Sequence, residues 1–161
     1  FLNGESLGKK EINENASARV WRVAFAPGTL PAVARNDGKV VATDELRTAG
    51  APAAIQLEAK NTGMGTSWDD VAIVRATIVD AKGVPVPQAN DLISFSVTGP
   101  GVIAATDNGD NQAQEMFQNS ERKAFLGQCV AYVKASKAGK IEVSAKATGL
   151  TSKPVMGTVV K

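Results

Sequence analysis

The side chains best suited to chemistry in this chain are its carboxylates. A pair of carboxylates is enough to hydrolyse a glycosidic bond, one as acid and the other as nucleophile or base. The pair must face one cleft, with surroundings that drive the two pKa values apart. Glu5, Glu58, Glu121 and Glu142 are the glutamates to weigh. Each falls on the polar phase of an alternating stretch or in a turn, where a carboxylate keeps a sheet soluble, so no catalytic residue is assigned. The chain has no histidine, which removes Ser-His-Asp and Cys-His catalysis and most zinc sites. Its one cysteine, Cys129, has no internal disulfide partner. It sits in the apolar run 129–133, where a free thiol serves as a small core hydrophobe. A nucleophilic cysteine would need a base beside it.

Two loops carry binding chemistry. Asp107-Asn108-Gly109-Asp110-Asn111 has the oxygen-rich look of a calcium loop. Loops that hold Ca²⁺ well place a bidentate Glu at position 12, and counting from Asp107 that position is Gln118. Asp, Asn and Gly also build turns for reasons of their own, and the turn is the reading preferred for Asp107, Asn108 and Asp110. No cofactor is called for. The second loop is Gly63-Met64-Gly65-Thr66-Ser67-Trp68-Asp69-Asp70. An exposed Trp68 ring would offer a flat apolar face for a sugar ring, and Asp69 and Asp70 could accept hydrogen bonds from its hydroxyls. The competing and preferred reading folds Trp68 back as a plug on the end of the fold.

The elements that must position these residues read as β-strands. Ile141, Val143, Ala145 and Ala147 alternate with Lys140, Glu142, Ser144 and Lys146, the pattern of a half-buried strand. Ile55, Leu57 and Ala59 repeat it, as do Ile93, Phe95 and Val97. Trp21, Val23 and Phe25 share one phase of residues 19–25, which places Trp21 in a core. Residues 71–79 are apolar on both faces, as in a central strand, and residues 129–133 and 155–160 complete the set. Asn3-Gly4, Asp37-Gly38, Ala81-Lys82-Gly83 and Asn108-Gly109 punctuate these runs with residues tolerant of positive φ. Short strands with turns every 8–12 residues predict an antiparallel β-sandwich without a long helix.

Composition agrees with an ordinary globular chain, 43% hydrophobic and 21% charged over 161 residues. Its net charge of +2 is spread without a basic stripe, so nucleic acid is not an expected partner. No apolar stretch approaches the ~20 residues of a membrane-spanning helix. The small-residue stretch 48–53 reads as a linker, dividing the chain into a partial immunoglobulin-like module, residues 1–50, and a complete one, residues 51–161. About seven strands are expected in the second and three or four in the first, too few for a core of its own. Asn3-Gly4 signals a hairpin, yet only Phe1 and Leu2 precede it. The first module is therefore expected to be truncated at its N-terminus, its open edge leaning on the second module or on another copy. The initial Phe likewise suggests a chain that has been processed or excised.

Taken together, the segments resemble the C-terminal β-sandwich modules of bacterial glycoside hydrolase family 2, the β-galactosidase family. Residues 1–8, FLNGESLG, are similar to an "x-L-x-L-N-G-x-x-L-G" strand and hairpin. Trp21-Arg22-Val23-Ala24-Phe25-Ala26-Pro27-Gly28-Thr29-Leu30 resembles "W-x-V-x-(Y/F)-x-P-G-x-L". Gly38, Val41, Thr48-Ala49-Gly50 and Pro52 follow as that module's closing pattern. In the second module, residues 79–87 resemble a "D-x-x-G-x-x-V-P" hairpin, followed in order by Phe95–Gly101, Asp107–Asp110 and Arg122–Gly127 segments. One departure stands out. Relatives tend to carry a "D-G-x-D" turn where this chain has Gly65-Thr66-Ser67-Trp68-Asp69-Asp70, which puts Trp68 where relatives need no tryptophan.

The resemblance implies a parent enzyme that hydrolyses a β-linked glycoside, a β-galactoside first, with retention. It also implies a periplasmic or extracellular location and, as partners, upstream catalytic and β-sandwich domains of the same polypeptide. The family's acid/base and nucleophile lie on a (β/α)₈ barrel. No βα alternation exists here, so neither can be carried over. A non-catalytic spacer and packing module is the leading expectation. A carbohydrate-binding module, with polysaccharide as partner, is the rival, because a tethered sugar site raises local substrate concentration. An adhesin-type surface repeat shares the fold.

Overall fold

The computed structural model describes residues 1–12, 14, 15 and 17–159, the last of these by its backbone alone. The chain divides into two compact units, Phe1–Thr48 and Ala49–Lys161. Every regular element among the described residues is a strand or an isolated bridge.

The first unit is built on one hairpin, β1 (Thr29–Asn36) and β2 (Lys39–Arg47), paired antiparallel from Thr29↔Arg47 to Asn36↔Lys39. Its turn needs positive φ at both central residues, and Asp37 at 47° and Gly38 at 77° supply it. A second tight turn sits at Asn3 (φ 50°) and Gly4 (φ 89°), closed by Leu2 N–H to Glu5 O at 2.8 Å. The Asn3 side chain then fastens this turn to the start of β1. Its Oδ1 accepts from Thr29 N–H at 2.8 Å and its Nδ2 donates to Pro27 O at 3.0 Å. Gly28 is required at the clasp: it has φ 133°, and a Cβ there would stand 1.8 Å from Asn3 Oδ1.

Two expectations for this unit fail. It holds two strands rather than three or four among the described residues, and residues 19–25 form no strand. Trp21 is exposed rather than a core residue, with the Lys10 ammonium 5.3 Å from its ring centroid, and Phe25 is 83% exposed. The reason is architectural. Alternation buries a face only when a second layer covers it, and a lone hairpin brings no such layer.

The second unit has nine strands: β3 (Pro52–Lys60), β4 (Ala72–Asp80), β5 (Leu92–Thr98), β6 (Gly101–Asp107), β7 (Glu121–Lys123), β8 (Gln128–Ala135), β9 (Gly139–Ala147), β10 (Leu150–Thr151) and β11 (Val155–Val159). They form two antiparallel sheets. One runs β3-β4-β8-β6; the other runs β10-β9-β5-β7, with β11 also on β9. The alternating residues meet between the sheets as anticipated. Ile55, Val74, Ala76, Ile78, Cys129, Ala131 and Val133 come from the first sheet, and Ile93, Phe95, Ile141, Val143 and Ala145 from the second, all buried. Burying each large aliphatic or aromatic side chain contributes about 1.5–3 kcal/mol, which makes this core the main stabilising feature of the chain. β4 is central, between β3 and β8, though its outer face is only partly covered, with Ile73 and Arg75 exposed. The expected strand 155–160 is seen through Val159; Val160 lies outside the described residues.

Candidate functional site

The Trp68 loop, residues 61–71, joins β3 to β4 and is organised by Asp70. Asn61 Nδ2 donates to Asp70 Oδ1 at 2.7 Å and Gly65 N–H to Asp70 Oδ2 at 2.5 Å. These donors, Gly65 first and Asn61 second, hold the Asp70 carboxyl below its usual range. Met64 fills the space beneath the loop as part of the buried core. Trp68 is therefore no plug. It stands 82% exposed, and its carbonyl oxygen accepts from the Lys134 ammonium on β8. Of the three residues proposed for sugar contact, Trp68 and Asp69 are exposed, while the oxygens of Asp70 serve the loop's own backbone and Asn61.

The calcium-like loop shows the same economy. Asp107 Oδ1 accepts from the N–H groups of Asn108 at 2.7 Å and Gly109 at 3.1 Å. Asn108 Oδ1 accepts from Asp110 N–H at 3.0 Å, and Asp110 Oδ1 from Gln112 N–H at 2.9 Å. Asp107, Asn108 and Asp110 thus form successive side-chain-capped turns. Among the described residues, no three His, Cys, Asp or Glu side chains group as a metal site would require.

The glutamates are dispersed. Glu5 is exposed beside the Asn3-Gly4 turn. Glu58 lies on the outer face of β3, 3.8 Å from Arg75. Glu121 accepts from the Ser94 hydroxyl at 2.6 Å, and Glu142 pairs in register with Thr98 and Met156. None lines the recess under β11, a pinhole of about 10 Å³ walled by residues such as Met64, Val74, Val133, Ile141 and Val155. That is room for about one water and no sugar.

Two polar residues matter more than their sequence positions suggested. Arg122, on β7, is 1% exposed. It donates to Thr106 O at 2.8 Å, Met116 O at 3.0 Å and Glu115 O at 3.2 Å, with the Phe117 ring 5.3 Å away. Its Nε has no partner within the protein. Arg122 thus joins two backbone bonds, Thr106 N–H to Phe117 O at 2.7 Å and Phe95 N–H to Ser120 O at 2.8 Å, in holding the connection 108–120 against the sandwich. A three-residue strand is too short for periodicity to mark an inward arginine.

Asp80 was legible as a turn residue, but its reach was not. Its Oδ2 accepts from Gly50 N–H at 2.8 Å, thirty residues back, and its Oδ1 from Lys82 and Val84 N–H at 2.8 and 2.9 Å. Those donors, Gly50 foremost and then Val84, hold its carboxyl below the usual range. Cys129 is buried, and burial pushes its thiol up to about 12, with Arg122 pulling the other way. No thiolate nucleophile is available there.

The fold of the second unit is an antiparallel β-sandwich, with the glutamates named above dispersed over it. Comparison with known proteins names its family. Residues 55–156, more than half the chain, match the model for glycoside hydrolase family 2 C-terminal domain 5, and residues 1–42 match a domain of unknown function, DUF4982. The chain belongs to the family 2 C-terminal modules. It is 39% identical over 151 residues to a beta-galactosidase of Bacteroides ovatus, covering 93% of this chain and 18% of that protein. It is 27% identical to a beta-glucuronidase of Formosa agariphila, covering 92% of this chain and 15% of that one. A solved family 2 glycosyl hydrolase from Bacteroides cellulosilyticus superposes with a TM-score of 0.87 at 34% identity, covering all of this chain and 21% of that structure. The chain thus spans about a fifth or less of the length of these relatives.

Proposed function

We propose that this chain is the non-catalytic C-terminal portion of an exported family 2 glycosidase, where it acts as a spacer and packing module. Upstream catalytic and β-sandwich domains of the same polypeptide are its partners. The observation that carries this reading is the fate of the carboxylates: Glu58 beside Arg75, Glu121 on Ser94, Asp70 and Asp80 on backbone N–H groups. Two-carboxylate hydrolysis needs a facing pair about 5–9.5 Å apart across a sugar-sized cleft. The parent enzyme hydrolyses a β-linked glycoside with retention, a β-galactoside before a β-glucuronide, since the galactosidase relative is the more similar of the two. The purified chain is expected to leave chromogenic β-galactosides and β-glucuronides intact. Turnover by the chain, abolished by a single Glu→Gln substitution, would overturn the proposal.

A second reading, carbohydrate binding, is favoured by one observation: the Trp68 ring stands in solvent on a loop braced by Asp70, Met64 and Lys134. Large apolar rings held rigid at the surface are common anchors of recognition.

A further inference from the structure

An antiparallel sheet with one face in solvent usually turns polar side chains outward. The β3-β4-β8-β6 sheet departs from that at its middle. Along β4, Ile73 and Arg75 face out between the buried Ala72, Val74 and Ala76. Along β8, Val130, Tyr132 and Lys134 face out between the buried Cys129, Ala131 and Val133. Register sets Tyr132 beside Ile73 on one neighbouring strand and Ala105 on the other. The Tyr132 hydroxyl makes no hydrogen bond among the described residues and is not sealed from solvent. A ring that is apolar in its body and wet at its tip is well suited to recognition. Charges of both signs lie around this apolar middle. Lys60 pairs in register with Ile73, Glu58 with Arg75, and Asp107 with Val130.

Lys134 ties this face to the Trp68 loop. It stands two residues beyond Tyr132 on β8, about 6.8 Å along the strand, and its ammonium donates to Trp68 O. The loop is also held at its start, where Thr62 O accepts from Thr158 N–H at 2.8 Å, and in its middle by Asp70. Trp68, its ring exposed, is thus presented beside the Tyr132 face on a braced backbone.

We propose that Trp68 and Tyr132 are two contact points of one open platform, which takes an internal stretch of a neutral polysaccharide across the outer face of this sheet. The inference rests on the carbohydrate reading of Trp68 and extends it to a substrate class and a second stacking residue. Three features select that occupant. A patch of one sign would attract a polyelectrolyte, whereas Lys60, Glu58, Arg75 and Asp107 intersperse donors and acceptors, which suits hydroxyls that both donate and accept. The two aromatic residues stand on either side of Lys134 and so meet different sugars of one chain. The face encloses nothing, so it grips by contacts repeated along a polymer, whose effects multiply. The recess under β11, with room for about one water, offers no seat for a chain end.

Titration calorimetry of the 161-residue chain with a neutral β-linked galactan tests this. Binding is expected to change by less than about twofold between low and high salt. Tyr132→Thr should weaken it about two- to tenfold, and Tyr132→Phe, which keeps the ring, should retain it. Ile73→Glu, at an exposed position beside Tyr132, is the second probe and should weaken binding even if Tyr132→Thr does not fold. Galacto-oligosaccharides should bind more tightly as they lengthen. Loss of binding in Trp68→Ala with full binding in the Tyr132 and Ile73 variants overturns the shared platform and leaves a Trp68 site standing alone. Free galactose competing as well as an oligosaccharide assigns a chain-end site and overturns the proposal. So does a preference for polygalacturonate that vanishes in high salt, which would make the ligand a polyanion. A doubled mass by light scattering that reverts in Ile73→Glu gives the face to a second copy and overturns it likewise. No binding of any glycan removes the carbohydrate reading itself, and this inference with it.

Discussion

Asp80 illustrates how a single carboxylate can fasten the first residues of a module to a turn thirty residues on. Thr48 is bonded to Gly28 in the first unit, whereas Gly50 is bonded to Asp80 in the second. Ala49, whose side chain packs on the second unit's core, and Gly50 are thus tied into that unit. Because three N–H groups favour the ionised form, the folded-state pKa of Asp80 lies below the reference 3.8. A depressed carboxylate contributes its stability in full above the unfolded value and loses it as pH falls through the folded one. The contribution is accordingly full at neutral pH, begins to decline at about pH 4 and is lost as pH falls through the lower folded-state value. Asp80→Asn keeps the shape but leaves a single accepting oxygen, so its NH2 must face an N–H it cannot accept from and at least one of the three bonds is lost. It should lower the melting midpoint at pH 7 and flatten the decline of the midpoint as pH falls below about 4. A variant whose acid limb parallels that of the parent chain would show that Asp80 is not the group responsible.

Connections between strands obey a different logic from the strands themselves. The connection 108–120 carries no regular structure, and Met116 and Phe117 within it are exposed. Its Glu115 and Met116 carbonyls, with that of Thr106 on β6, converge on Arg122, and its Phe117 and Ser120 carbonyls accept from the N–H groups of Thr106 and Phe95. Arg122→Met keeps the volume and removes the donors, leaving the buried Thr106 carbonyl unsatisfied, which costs about 1–3 kcal/mol. Thermal unfolding should register that loss, and limited proteolysis should find a new cleavage site within 108–120. Arg122→Lys is not expected to rescue either property, since one ammonium cannot span three carbonyls set for a guanidinium fork. A Met variant as stable and as protease-resistant as the parent would sink this account. The same elements show which parts of the fold were readable beforehand. β3, β5 and β9 were legible because their inner faces repeat every two residues and a second sheet covers them. β7 and β10 were not, being three and two residues long. Residues 19–25 carry the same alternation without a covering layer, and form no strand. Alternation states what a segment can bury, and only a facing layer decides whether it does. In the Trp68 loop, Met64 has taken the plugging role because an unbranched side chain fits an irregular gap between sheets, which a pattern of polar and glycine residues does not announce.

At the scale of the whole molecule, the choice is between a module that only holds position and one that also holds substrate. Both readings fit a sandwich with an apolar core and dispersed carboxylates; they differ at one ring. Trp68 buries little of itself, and its side chain has no role in the core that Met64 does not already fill. Trp68→Ala should therefore leave the melting midpoint of the chain within about a degree, because an exposed substitution away from caps and networks rarely moves stability by more than ~0.5 kcal/mol. That makes it a clean probe. Native electrophoresis through gels containing galactose-rich plant polysaccharide would compare the chain with the variant. If Trp68 is a sugar platform, the chain is retarded, the alanine variant migrates freely, and Asp69→Asn gives an intermediate mobility because one hydroxyl partner is weakened. A weak site suffices, since tethering to a catalytic domain multiplies its effect through local concentration. If both proteins migrate alike in every polysaccharide, the ring has no glycan partner among those polymers. The dispersed carboxylates and the apolar core are then accounted for by a module that packs and spaces.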